Sequence, residues 1–269
     1  MRAKPAAMCC CLLALLPGLC ACAGGQGRAD APPQQVAAAP LTPYILAALH
    51  SMPSGGGYAA DRAAELRLAA QGITWRGGQL SISPAGASPT FCSAACYIVL
   101  LRALRAWEQA RGVAFPASVW HSLRVEPSHP DGYLSWGRVN ANGPGFAVWV
   151  RELGAGYSFT SVAAARPGDF LKFFHTPAIG ASERGHLVIF LGLVEREGQP
   201  CIRYWSSNKS GGYGERTTPL AGLHHLIFTR ITHPERIARA PELPESHPWL
   251  SSLLTHPVSW EEVKARIGM

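Results

Sequence analysis

The residue in this chain best suited to chemistry is Cys92. It stands in the run Ser88-Pro-Thr-Phe-Cys-Ser-Ala-Ala-Cys-Tyr-Ile-Val-Leu-Leu-Arg-Ala-Leu104, which reads as a turn feeding a buried helix. Pro89 disfavours helical backbone at Ser88, so the helix begins after it. Thr90 is the expected N-cap, its hydroxyl free to take an orphan backbone N–H. From Ala95 to Leu104 the apolar residues are nearly continuous, as in a helix at the centre of a domain. Cys92 then falls in the first turn, where partial positive charge and unpaired N–H groups favour a thiolate, the nucleophilic form of cysteine. A second reading stays open, that of a small buried hydrophobe, as most free cysteines are. Cys96, one turn further in among apolar neighbours, reads as packing, and a disulfide between the two does not suit a regular helix.

A thiolate nucleophile needs a base, contributed from elsewhere in the fold. The chain has ten histidines. His129, His233, His247 and His256 each precede Pro in loop-like sequence, and the adjacent His224 and His225 point to opposite faces of a strand. His186 differs, because it opens the apolar run Gly185–Val194 directly after a glycine. The start of a strand lies at the rim of its sheet, where an imidazole can face a cleft. A purely structural role is the competing reading. No HExxH or CxxC motif occurs and the scattered histidines lack ligand spacing, so neither a metal nor another cofactor is expected.

The elements that must position these residues change character half-way along the chain. Thr42-Pro43 opens a short helix to His50, with Pro43 at a favoured first-turn position. A helix over 59–71 is ended by Gly72, and a loop or short strand over 77–87 leads to the central helix, which runs to about Ala110 and stops at Gly112. Residues 113–145, rich in Pro, Gly, Asn and His, predict a long surface segment with partial helix that walls a cleft. A further helix over 145–153 ends at Gly154. Strands follow at 169–175, 185–194, 199–206 and 224–232, with a hairpin at Arg196-Glu-Gly198. Short links predict an antiparallel meander, and helices before strands give an α+β class. The tail over 233–269 is Pro-rich and closes with a helix from Trp260 to Ile267.

The N-terminus carries a different message. Arg2 and Lys4 precede a short apolar stretch, Cys9 to Leu19, too short to span a membrane. Leu19-Cys20-Ala21-Cys22 then reads as a lipobox with Cys22 as the lipidated mature terminus, while Ala21-Cys22-Ala23 also suits an ordinary secretory cleavage site. Residues 1–21 are thus an expected export signal, 22–41 an Ala/Pro/Gln/Gly-rich tether, 42–232 the folded domain and 233–269 an extension. Five of the eight cysteines sit in this leader or at its edge, so the body has too few for a disulfide scaffold. Removing Arg2 and Lys4 lowers the net charge from +7 to +5, which suits an anionic envelope. Basic residues are too dispersed for a nucleic-acid partner.

Three stretches together resemble the NlpC-type cell-wall cysteine peptidases. Phe91-Cys92-Ser93-Ala-Ala is similar to the start of that family's catalytic helix, Arg166-Pro-Gly-Asp-Phe-Leu-Lys-Phe-Phe174 to its Pro-Gly-Asp strand, and Gly185-His-Leu-Val-Ile-Phe-Leu-Gly192 to its histidine strand. Their order matches over roughly residues 88–230. The sequence departs from the pattern at Phe91, where Asp is usual, at Ala94, where Gly is common, and at Leu187-Val188 in place of Val-Gly. The resemblance implies a papain-like core hydrolysing amide bonds in peptidoglycan stem peptides, with Cys92 as nucleophile and His186 as general base. The third group is expected at the end of the next strand, Cys201-Ile-Arg-Tyr-Trp-Ser-Ser-Asn208, as Asn208 by analogy with Cys-His-Asn hydrolases or as Ser207. The same Ser-rich run is also good turn chemistry, and the Gly211-Gly-Tyr-Gly214 segment reads as flexible loop beside the cleft. The Cys92 N–H and the Gln79 side chain are candidate oxyanion donors. The implied setting is the periplasm, with the protein held to the membrane through Cys22. The competing functions are a non-catalytic envelope-binding lipoprotein on the same fold and a papain-like hydrolase or acyltransferase acting on another amide.

Overall fold

The computed structural model describes residues 40–269, so the expected leader over 1–21, the lipidation point Cys22 and most of the tether lie outside the described residues. Leu41, assigned above to the tether, belongs to the domain: it is fully buried and its N–H donates to the Ile231 carbonyl. Helix α1 (Thr42–His50) follows, with Pro43 in its first turn as expected. A two-residue strand, β1 (Gly55–Gly56), precedes α2 (Arg62–Arg67). The helix expected over 59–71 starts later, because Asp61 caps it through the Ala64 N–H, and its end widens into a π-helical turn at Leu68–Gly72. A hairpin of β2 (Ile73–Arg76) and β3 (Gln79–Ile82) then forms a two-stranded sheet of its own.

The central helix α3 (Cys92–Arg111) is buried without a break from Ser93 to Leu101 and ends at Gly112 in the left-handed conformation. Its N-cap is not Thr90. Phe91 takes that position with extended backbone, no side chain caps the helix, and Thr90 is buried as part of the turn before it.

The segment expected on the surface folds inward instead. It forms α4 (Ala117–Ser122) and α5 (Leu134–Asn140), and it buries Trp120, Leu123, Trp136 and Val139. Arg138 braces the α5 part of it. Its side chain, 1% exposed, pairs with Glu152 at 2.9 Å and donates to the Gly132, Leu134 and Pro244 carbonyls. One guanidinium thereby satisfies backbone oxygens that would otherwise need water. Helix α6 (Gly145–Leu153) ends at Gly154, as its sequence predicts.

The second half builds β4 (Gly156–Phe159), β5 (Phe170–Phe174), β6 (Gly185–Arg196), β7 (Gln199–Asn208), β8 (Gly212–Pro219) and β9 (His225–Ile231). With β1 they form one seven-stranded antiparallel sheet in the order β1-β8-β7-β6-β5-β9-β4. The meander is present through β5–β6–β7, with a tight turn of positive φ at Glu197 and Gly198 between the last two. Strands β4 and β8 go beyond the expected set, and most of the expected Gly211–Gly214 loop is the start of β8. The class is therefore α+β. Strand alternation divides the apolar residues between faces: Leu187, Ile189 and Trp205 join the core beneath α3, while Val188, Phe190, Ile202 and Tyr204 join a separate cluster.

The tail stays with the domain. A 3₁₀ stretch (Pro234–Glu242) leads to α7 (Pro248–Ser252) and α8 (Trp260–Ile267), and Leu250, Leu253, Val263 and Ile267 pack with Phe174, Ile179 and Ile227. Among the described residues no helix is long and apolar enough to cross a membrane.

The Pro-Gly-Asp stretch earns its place through Asp169. One oxygen accepts from the Arg166 N–H at 2.7 Å, closing the turn before β5, and both oxygens take a paired contact from Arg230 on β9 at 2.8 and 2.7 Å. The carboxylate is fully buried and the Arg230 side chain is partly buried, 11% exposed. Removing one partner strands the other's charge in the protein. Asp169→Ala is expected to lower unfolding free energy by about 3 kcal/mol in a denaturant titration, with the midpoint falling at unchanged slope.

Candidate active site

The first turn of α3 and the first residues of β6 meet at the rim of the sheet. Cys96 Sγ donates to the Leu187 carbonyl at 3.4 Å, and Ser206 Oγ donates to the same oxygen at 2.9 Å. Cys96 is thus the packing residue expected of it, fully buried with its thiol pushed well up by desolvation. This junction sets Cys92, one turn earlier, beside His186, the residue before Leu187. Cys92 is only partly buried, whereas Cys96 and Cys201 are buried.

The electrostatics of Cys92 follow from that position. Burial pushes its thiol up. The charge of His186, a hydrogen bond with His186, the Lys172 ammonium and the Leu187 backbone together outweigh burial and bring it down from 9.0 to about 7. Near neutral pH the thiolate is then far better populated than in an unperturbed thiol, which is only about a few per cent ionised.

His186 is oriented by Asn208 at the end of β7. Its Nε2 lies 3.4 Å from Asn208 Oδ1. The amide's own orientation is dictated by its other end: Nδ2 faces the carbonyls of Ser206 and Gly214, both at 3.0 Å, and of Gly212 at 3.4 Å. Only an NH₂ group can donate to three carbonyls, so the oxygen faces the ring. Nε2 must then carry the proton, which leaves Nδ1 as the basic nitrogen for the thiol. The ring itself is held edge-on against Phe173 and Tyr204, with centroids at 5.5 and 5.7 Å.

Of the two candidates for the third position, Asn208 meets the imidazole. Ser207 does not: its hydroxyl donates to the Thr90 carbonyl at 2.8 Å and ties β7 to the turn before α3. Alternation along β7 places neighbours on opposite faces, which separates them. Gln79 also falls away as an oxyanion donor, because it sits exposed on the β2–β3 hairpin and does not line either hollow described below.

Sequence reasoning missed Tyr58. It forms an isolated parallel bridge with Thr90, lines both the hollow that contains Cys92 and the hollow that contains His186, and feels the Cys92 charge, its phenol raised by burial and that charge to about 12. A phenol that stays protonated there is a donor within the site. Tyr58 belongs to no motif and follows three glycines, so only the tertiary pairing reveals it.

The hollow containing Cys92 has a volume of about 430 Å³. Its lining includes Asn140, which accepts from Ser93 Oγ at 2.7 Å and donates to Asp131 at 2.9 Å. Burial raises the Asp131 carboxyl to about 6 against the lowering effect of that bond. Lys172 and Glu183 pair at 2.6 Å in the same lining, and Glu183 also takes the Gly143 and Gly180 N–H groups. Among the described residues no group of three or more His, Cys, Asp or Glu is arranged to hold a metal ion.

Compared with protein-family models, with curated proteins and with solved structures, the chain matches none. What the site can do rests on its own geometry: a lowered thiol, a ring that accepts its proton and an amide that orients the ring.

The lowered thiol makes a direct prediction. The rate of iodoacetamide alkylation at Cys92 should rise with pH through about 7 and then level, because the thiolate is the reacting form. In His186→Ala the lowering contributions of the ring vanish while burial remains, so the midpoint should shift upward, past the roughly 8.5 of a free thiol. A wild-type midpoint that stays near 9 counts against the pairing.

Proposed function

We propose that this chain is an exported cysteine hydrolase with a papain-like core that cleaves amide bonds, most specifically those of peptidoglycan stem peptides. The observation carrying this reading is the Asn208–His186–Cys92 alignment, in which the amide selects the ring tautomer that can take the thiol proton. Two features of the chain support it further. The three stretches resembling NlpC-type peptidases occur in that family's order, and the two residues they nominate, far apart in sequence, interact electrostatically. The N-terminal leader with its Cys22 lipobox supports export and membrane anchoring in the periplasm, and the basic net charge suits an anionic envelope.

The mechanism follows from the tautomer. His186 Nδ1 takes the Cys92 proton, and the thiolate attacks the amide carbonyl carbon. The Cys92 N–H, at an N-terminus free of any side-chain cap, donates to the oxygen as it gains charge. The tetrahedral species collapses with cleavage of the C–N bond, and the imidazolium proton goes to the departing amine. Asn208 holds the ring in place throughout. Water, deprotonated by His186, then attacks the thioester, releasing the acid and restoring the thiol.

Cys92→Ala should abolish release of soluble fragments from purified sacculi while circular dichroism and the melting temperature stay close to wild type. Fragment release by that variant at the wild-type rate would end the hydrolase reading. Mass spectrometry of the fragments identifies the bond.

A further inference from the structure

One hollow is lined by Cys92 and a second by His186; the two share Tyr58, Glu183 and Gly185, and they differ in charge. The first, lined by Cys92, holds the acids Asp61, Glu65, Asp131 and Glu183 alongside Arg62 and Lys172. The second, about 580 Å³, is lined by His186 and Asn208 together with His175, Arg184, Lys209 and Arg216. Its one acid, Glu183, has both oxygens engaged: Oε1 by Lys172, Oε2 by the Gly143 and Gly180 N–H groups. Among the described residues no carboxylate pairs with Arg184, Lys209 or Arg216, and Arg216 donates only to the carbonyls of Glu215 and Ser210. These cations repel one another, and Arg184 together with His186 depresses the neighbouring His175 after burial has begun to do so. Unpaired like charges around a concave surface cost stability and concentrate anions.

Chemistry assigns the hollows to the two halves of a substrate. The acyl carbon must reach Cys92, so the acyl part lies in the first hollow. The departing nitrogen must receive its proton from His186, so the amine part lies in the second. We propose that the second hollow is a leaving-group subsite that binds an ionised carboxylate on the amine-side fragment, with Arg184 and Lys209 as its principal contacts. The assignment rests on the hydrolase reading above and adds the substrate polarity to it: the bond cleaved lies upstream of a residue with a free carboxylate. Arg184 offers paired planar donors that match a carboxylate, and Lys209 adds a point charge. Both are exposed, so the contact is modest and screened by salt.

The test compares a stem tetrapeptide whose C-terminal carboxylate is free with the same peptide as its C-terminal amide. Wild-type enzyme should favour the free acid in kcat/KM by roughly fivefold at low ionic strength, and Arg184→Gln/Lys209→Gln should bring that ratio close to one. High salt should shrink the wild-type ratio in the same direction. A wild-type ratio near one, or a ratio unchanged in the double variant, overturns the subsite. Calorimetric titration of Cys92→Ala with the two peptides reads the subsite without turnover. Preferential binding of the acid there, with no cleavage by wild type, sinks the hydrolase reading and keeps the anion site. Cleavage without preference in either measurement does the reverse.

Discussion

The carbonyl of Leu187 is the joint on which this domain depends. It accepts from Cys96 Sγ on the helix and from Ser206 Oγ on the neighbouring strand, inside a core where no water can substitute. Each such bond is worth about 1 kcal/mol net. Their effect on geometry exceeds their energy. They fix how far α3 slides along β6, and hence whether the residue one turn before Cys96 reaches the residue one step before Leu187. Cys92 and His186 meet because Cys96 and Leu187 do.

That meeting sets two opposing effects against each other at one sulfur. Desolvation favours the neutral thiol, while an imidazole, an ammonium and a backbone group favour the thiolate. The charges prevail at Cys92, and packing and hydrogen bonding hold His186 beside it. Phe173 and Tyr204 pack against its ring, and Asn208 settles which nitrogen is protonated. Asn208 in turn depends on β8. Gly212, opposite it in register, has φ +87, and a Cβ there would strike the Gly55 and Gly57 backbone. The small edge strand β1, made of two glycines, pairs Gly55 with Tyr213 and Gly56 with Gly212 of β8.

Much of this arrangement is legible in the sequence. An apolar run bounded by Pro89 and Gly112 makes a buried helix, and a strand opening on His186 begins at a rim, so both candidates fall on the elements expected of them. What the sequence hides depends on long-range partners. The stretch around Arg138 reads as surface loop because its composition is polar, yet an internal guanidinium supplies the donors its carbonyls need. Strand β8 hides in glycine and charged residues because it has one partner on most of its length and little to bury. Choosing between Ser207 and Asn208 needs the pleat, since adjacent residues diverge and only register says which turns toward the ring. Thr90 has the right type for a cap, but the chain enters the helix one residue later, and its carbonyl is spent on Ser207 and Ala59.

The tail has a bearing on how the domain comes into being. The α5 side of the Cys92 hollow is braced by residues that follow β9: Arg138 donates to Pro244, Leu134 to Glu245, Ser251 to Asp131, and Leu254 joins the lining. A ribosome delivers these residues after the sulfur, the ring and the sheet. Translation therefore furnishes the sulfur, the ring and the whole sheet before the contacts that brace α5 exist, and a chain cut short after β9 lacks that brace and Leu254.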